Sequence, residues 1–192
     1  MGVLAVFLVG FMGSGKTTVG RELARRLGWD FIDLDAQLES RERKSIPEIF
    51  QQDGESAFRL AETSVLRELT GSLQRNSVVA LGGGAFAQPT NRSLVARWPT
   101  VFLEASLDEL WRRSSEDAVA RPLRKDREQF SRLYDERVPS YRQATITVVT
   151  SDKDIPSICR EIEDTLSLGE FHSADSGASG PDSASSRQGG QK

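Results

Sequence analysis

Short, almost wholly apolar runs alternate along this chain with longer stretches in which apolar residues recur every three or four positions. The short runs, at residues 4–9, 30–33, 77–81, 100–104 and 145–149, are rich in Val, Ile, Phe and Leu and predict strands. The periodic stretches predict helices over residues 17–27, 35–43, 47–52, 55–70, 91–97, 107–114, 127–137 and 155–166. A strand apolar at successive positions is buried on both faces, so the alternation predicts a parallel sheet with helices on either side, an α/β chain of three αβα layers. Two helix starts carry a capping box, Ser45 with Glu48 and Ser106 with Glu109, in which hydroxyl and carboxylate satisfy free N–H groups of the first turn.

Right-handed crossovers bring the loops after such strands to one edge of the sheet. Three of these loops are polar or glycine-rich. The first, Gly10-Phe11-Met12-Gly13-Ser14-Gly15-Lys16-Thr17, fills the pattern G-x-x-x-x-G-K-[ST] between a strand and a helix. Backbone N–H groups and the positive end of the helix then converge on an anion, and glycine lets the main chain come close to it. Gly13, Ser14, Gly15, Lys16, Thr17 and Thr18 are the expected nucleotide contacts, with Lys16 neutralising the outer phosphates and the Thr17 hydroxyl on Mg²⁺. A nucleoside triphosphate is the expected ligand.

In the second loop, Asp33 and Asp35 lie two apart, a spacing that points both carboxylates the same way in extended chain. One could stand near hydrated Mg²⁺ and the other near a substrate hydroxyl; a charged turn with a helix cap accounts for them equally well. The third, Gly82-Gly83-Gly84, leaves bare backbone and room for a ligand, or is a flexible turn. Arg59, after Phe58, and Arg137, before Val138-Pro139-Ser140-Tyr141, can each bind a carboxylate through a planar fork; taken singly, each also fits a solvated or salt-bridged surface residue.

The chain has 192 residues, 38% hydrophobic and 28% charged, enough for one soluble domain with a core. A formal net charge of −3 offers no basic field for a nucleic-acid backbone. Cys159 is the only cysteine, so no internal disulfide forms, and it is expected to pack in the last helix. No basic region precedes the first apolar run, and no run approaches the ~20 residues that span a bilayer, so a cytoplasmic protein without membrane contact is expected. Residues 115–126 are charged and aperiodic and lie where a lid would, within a single domain over residues 1–168. Residues 169–192, rich in Gly, Ser and Ala, are expected to form a disordered tail, which takes the sole histidine, His172, out of the chemistry.

The set as a whole resembles the shikimate kinases, within the nucleoside-monophosphate-kinase-like branch of P-loop proteins. The resemblance runs from about Ala5 to Ile158 and is carried by GFMGSGKTTVGRELA, FIDLD, SIPEIFQQDGESAFRLAE, ALGGGAF, ARPL and LYDERVPSYRQA, in that order. It implies strand order 2-3-1-4-5, a lid, and Mg²⁺-assisted transfer of the ATP γ-phosphoryl to the 3-hydroxyl of shikimate by a monomer. It further implies Asp35 as the base at the acceptor hydroxyl, Asp33 behind the Mg²⁺ water shell, and Arg59 and Arg137 on the shikimate carboxylate. Gly82, Gly83 and Gly84 would line the ring, with Phe50 and Phe58 as its apolar wall. Arg121 corresponds to the lid arginine, Arg113 to the residue stacking on adenine, and Pro156 to the other side of that slot. Two features stand apart. The third strand ends in glycines where many P-loop ATPases place an acid, which is normal for this family, and the lid reads Arg121-Pro122-Leu123-Arg124 where the family usually has a second leucine. A kinase for another small hydroxy acid such as gluconate, and a nucleotide-binding regulatory module without catalysis, are the alternative readings.

Overall fold

The computed structural model describes residues 4–116 and 126–168. Five parallel strands, β1 (Ala5–Val9), β2 (Asp30–Asp33), β3 (Ser77–Ala80), β4 (Thr100–Glu104) and β5 (Ile146–Val149), form one sheet in the order β2-β3-β1-β4-β5. The register pairs Val6 with Val78 and Phe7 with Val79 on one side of β1, and Leu8 with Val101 on the other. The helices are α1 (Lys16–Leu27), α2 (Leu34–Glu42), α3 (Ile46–Gln52), α4 (Gly54–Ser72), α5 (Pro89–Val95), α6 (Leu107–Glu116), α7 (Arg127–Tyr141) and α8 (Ile155–Thr165). Among the described residues, no helix is long and apolar enough to cross a membrane.

Alternation along the central strands divides the core. Ala5, Phe7 and Val9 of β1, Val79 of β3 and Phe102 of β4 join a cluster under α2 to α7, with Leu34, Leu66, Phe130 and Tyr141. Val6, Leu8, Val78, Val101 and Leu103 join the opposite cluster, with Leu23 of α1 and Ile158, Cys159 and Ile162 of α8. Each central strand thus feeds two hydrophobic layers, which is why its sequence carries no polar face. On the second layer, α1 comes very close to the sheet: a Cβ on Gly20 would be 2.5 Å from the Phe31 ring. At its outer edge, Arg26 of α1 meets Glu163 of α8 through paired contacts of 2.6 and 2.8 Å.

Three local expectations change. The helix expected to stop at Arg137 runs through Pro139 to Tyr141. Proline removes one N–H from the ladder, but Arg137, Val138 and Tyr141 are all buried and the Arg142 N–H still reaches the Val138 carbonyl at 3.0 Å. The box at Ser45 forms in full, whereas at Ser106 only the hydroxyl half forms, to the Glu109 N–H at 3.3 Å. The Ser106 N–H pairs instead with Ser151 Oγ, and the Glu109 carboxylate takes Arg113 and the Ser151 hydroxyl. Finally, Asp35 lies in the first turn of α2, not in extended chain, because Asp33 starts the helix one residue after the strand.

Candidate active site

The phosphate loop joins β1 to α1. Its tight path needs glycine at two places: Gly13 has φ 79° and a Cβ there would be 2.7 Å from the Leu110 carbonyl, while Gly15, at φ 88°, immediately precedes the helix. Lys16 Nζ donates to the carbonyls of Gly10 and Phe11, both at 2.9 Å, so its charge is held over the mouth of the loop. The Thr17 hydroxyl donates to Asp33 Oδ2 at 2.9 Å. The other oxygen of Asp33 accepts from the N–H groups of Asp35 at 3.1 Å and Ala36 at 3.4 Å. Asp33 therefore is a helix cap and also a partner of the phosphate loop, and the two readings of this acid hold together.

The glycine run after β3 is packed beneath the second half of the site. A Cβ on Gly82 would be 2.5 Å from Asp35 Oδ1 and 2.9 Å from Glu62 Oε1. On Gly84 it would be 2.6 Å from both terminal nitrogens of Arg59, and on Gly83 it would lie 3.6 Å from the Met12 N and 3.9 Å from Arg137 Nη1. The absence of side chains here is thus what lets Asp35, Arg59 and Arg137 approach one stretch of backbone. A 3-10 turn over Ala85–Ala87 follows. Its carbonyls are taken by Asn91 and Arg92 of α5, which hold the glycine run in place.

Sequence reasoning passed over two residues at this site. Glu62 is 1% exposed, and one of its oxygens accepts from Arg59 Nη1 at 2.9 Å. The other is buried with no hydrogen-bond partner. Burial pushes this carboxyl up from its usual value, against the opposing pull of Arg59. The signal was present: Phe58, Glu62, Val65 and Leu66 share the buried face of α4, so an acid stands at a core position. Tyr141 is fully buried, and its hydroxyl donates to the Gly83 carbonyl. Arg137, 7% exposed, hydrogen-bonds the same hydroxyl one helical turn away and lies 5.9 Å from the Phe11 ring centroid. Phe50 and Phe58 form a tilted pair with centroids 4.6 Å apart, and Arg59 lies over the Phe58 ring at 5.0 Å.

On the nucleotide side, Arg113 of α6 donates to Glu109 and to Thr150 Oγ1, the latter at 3.4 Å. This ties α6 to the loop that leads into α8, where Pro156 occupies the first turn. Arg121 lies outside the described residues, as do most of the expected lid and the whole tail. A cavity of about 270 Å³ is lined by Gly13, Gly15, Lys16, Thr17, Thr18, Asp35, Ala80, Leu81, Gly83 and Arg113. Phosphate-loop and acceptor-side residues share this single space.

A Gly-rich anion loop at the edge of a parallel sheet, opening on a carboxylate and a second polar rim, defines a P-loop kinase of the αβα type. The shikimate kinase family model matches residues 12–167. The chain belongs to the shikimate kinase family, which makes it a phosphotransferase. It is 42% identical to a shikimate kinase of Synechococcus sp. (strain CC9605) over 78% of this chain and 75% of that one. To the shikimate kinase of Halorhodospira halophila it is 44% identical, over 84% of this chain and 92% of the relative. Among solved structures, shikimate kinase from Acinetobacter baumannii in complex with shikimate superposes with a TM-score of 0.79 at 36% identity, covering 86% of this chain and 94% of that one. A gluconokinase from Sinorhizobium meliloti, at 20% identity and a TM-score of 0.58, shares the fold.

Proposed function

We propose that the chain transfers the γ-phosphoryl group of ATP to the 3-hydroxyl of shikimate, yielding ADP and shikimate 3-phosphate. The observation that carries this reading is the shared cavity, where Lys16 and Thr17 line the same space as Asp35 and Gly83. Phosphoryl transfer asks little covalent work of the protein, so positioning and charge neutralisation dominate. Lys16 offsets charge on the outer phosphates. Arg59 and Arg137 grip the shikimate carboxylate, Phe50 and Phe58 wall the ring, and Gly82, Gly83 and Gly84 make room for it. Asp35 orients the 3-hydroxyl and accepts its proton late, since an aspartate with a pKa of about 4 does not strip an alcohol beforehand.

Magnesium fits the donor set. Thr17 gives its proton to Asp33 and so presents oxygen lone pairs, and Asp33 is a second hard oxygen donor nearby. Among the described residues, no three His, Cys, Asp or Glu side chains cluster as a protein-made metal cage. A site that holds its cation mostly through ATP phosphates and water suits Mg²⁺, with Thr17 as direct ligand and Asp33 behind water. When bound there, the ion neutralises charge on the phosphates.

Arg113 and Pro156 form the two sides of the adenine slot, and Arg121, within a lid over residues 115–126, closes on the transferring group. Closure excludes water, a competing acceptor. Residues 1–168 form one kinase domain, residues 169–192 a disordered appendage. The protein acts as a cytoplasmic monomer and needs neither nucleic acid nor membrane.

Titrating ADP release with shikimate, beside a panel of hydroxy acids that includes gluconate, tests this. Shikimate-stimulated turnover with no response to gluconate is expected. Stimulation by gluconate alone points to the other hydroxy-acid kinase. Stoichiometric ATP binding without any acceptor-stimulated turnover makes the chain a regulatory module.

A further inference from the structure

We propose that Tyr141 is a positioning residue for the acceptor clamp, its hydroxyl locking the Arg137 guanidinium to the Gly83 carbonyl so that both reach shikimate as one unit. The inference rests on the reading of Arg137 as a carboxylate ligand. Its own basis is geometric. The Tyr141 ring is fully buried and stacked on Phe102 of β4, with centroids 5.3 Å apart and planes at 30°. The sheet thereby fixes where the hydroxyl stands. That hydroxyl donates to Gly83 and is hydrogen-bonded by Arg137. A tyrosine hydroxyl has one proton to give and lone pairs with which to accept, so both bonds form at once.

Continuation of α7 through Pro139 sets the two side chains one turn apart on a single face. Gly83 in turn abuts the phosphate loop, its Cβ position lying 3.6 Å from the Met12 N and 3.8 Å from the Gly10 carbonyl. A chain of bonds running from a cation through a hydroxyl to a carbonyl is mutually polarising, so each member steadies the next. Burial pushes the phenol up to about 12 despite Arg137, so it remains a donor across the working range of the enzyme.

Tyr141→Phe keeps the ring and its stack and removes only the two bonds. The expected result is a rise of roughly tenfold in KM for shikimate, with KM for ATP within about twofold, as a loosened charged ligand implies. A double-mutant cycle with Arg137→Ala separates this from general destabilisation. If Tyr141 acts through Arg137, Tyr141→Phe changes shikimate KM by less than about twofold once Arg137 is gone. Undiminished effects in that background, or an unchanged shikimate KM in folded Tyr141→Phe, overturn the inference while leaving the clamp intact. An unchanged shikimate KM in Arg137→Ala alone removes the clamp reading itself, and the inference with it.

Should the Phe variant fail to fold, the wild-type sequence supplies a second readout. Tyr134 and Tyr141 are its two tyrosines, so 3-fluorotyrosine labelling gives two ¹⁹F lines, assigned with Tyr134→Phe. Saturating shikimate should shift the Tyr141 line, and a line that does not move overturns the proposal.

Discussion

Replacing Gly84 with alanine should damage acceptor binding while sparing the fold. The backbone at this position, φ −107° and ψ −10°, is open to any residue, so alanine adds no backbone strain. Its methyl would stand 2.6 Å from both terminal nitrogens of Arg59, which must retreat to ordinary contact near 3.4 Å, a displacement of about 0.8 Å. That movement breaks the 2.9 Å bond from Arg59 Nη1 to Glu62 and takes the guanidinium off the carboxylate it is to hold. A charge-assisted hydrogen bond contributes about 1.5–3 kcal/mol, so KM for shikimate should rise roughly ten- to hundredfold. Stability should change by less than about 1 kcal/mol, because the methyl meets the end of a long side chain and alanine lowers the entropy of the unfolded chain. Initial rates by coupled ADP release, with shikimate and ATP varied in turn, separate the two constants, and thermal melting checks the fold. A normal KM for shikimate in a normally melting Gly84→Ala protein would refute the placement of Arg59 in the clamp.

Lys16→Met should abolish transfer yet leave shikimate binding intact by calorimetry, and a parallel loss of shikimate affinity would make Lys16 part of the acceptor site instead. For Glu62 the pH dependence has a definite sign. Its folded carboxyl titrates above the unfolded value of about 4.5, so the native state binds more protons in that window and stability falls as pH rises through it. Melting temperatures of wild type and Glu62→Gln, measured upward from pH 4.5, should show this fall in the wild type only, and parallel curves would contradict it. A chain ending at Leu168 should keep its kcat and both KM values, and a large loss would give residues 169–192 a part in the enzyme.

The layered sheet was legible because burial on both faces leaves a mark in every central strand, and glycine and capping signals punctuate the helices between them. What escaped had a common cause: the residue's partner lies far away in sequence. Glu109 reads as half of a capping box, but Ser151 and Arg113 compete for its carboxylate and win. Tyr141 looks like the end of a helix already broken by proline, until its burial against Phe102 is seen. Asp33 and Asp35 point to the right place for a partly wrong reason. They converge because a cap and a first-turn residue are neighbours around a helix start, not because they alternate along a strand.

Asp33 carries a consequence of its own. One carboxyl group, with an oxygen turned each way, is at once the latch of the phosphate loop and the origin of the helix that bears the proton acceptor. Any drift of the cation's hydroxyl ligand is transmitted, within a single short side chain, to the group that meets the alcohol. Donor and recipient ends of the reaction are thereby kept in step without a hinge or a long relay between them.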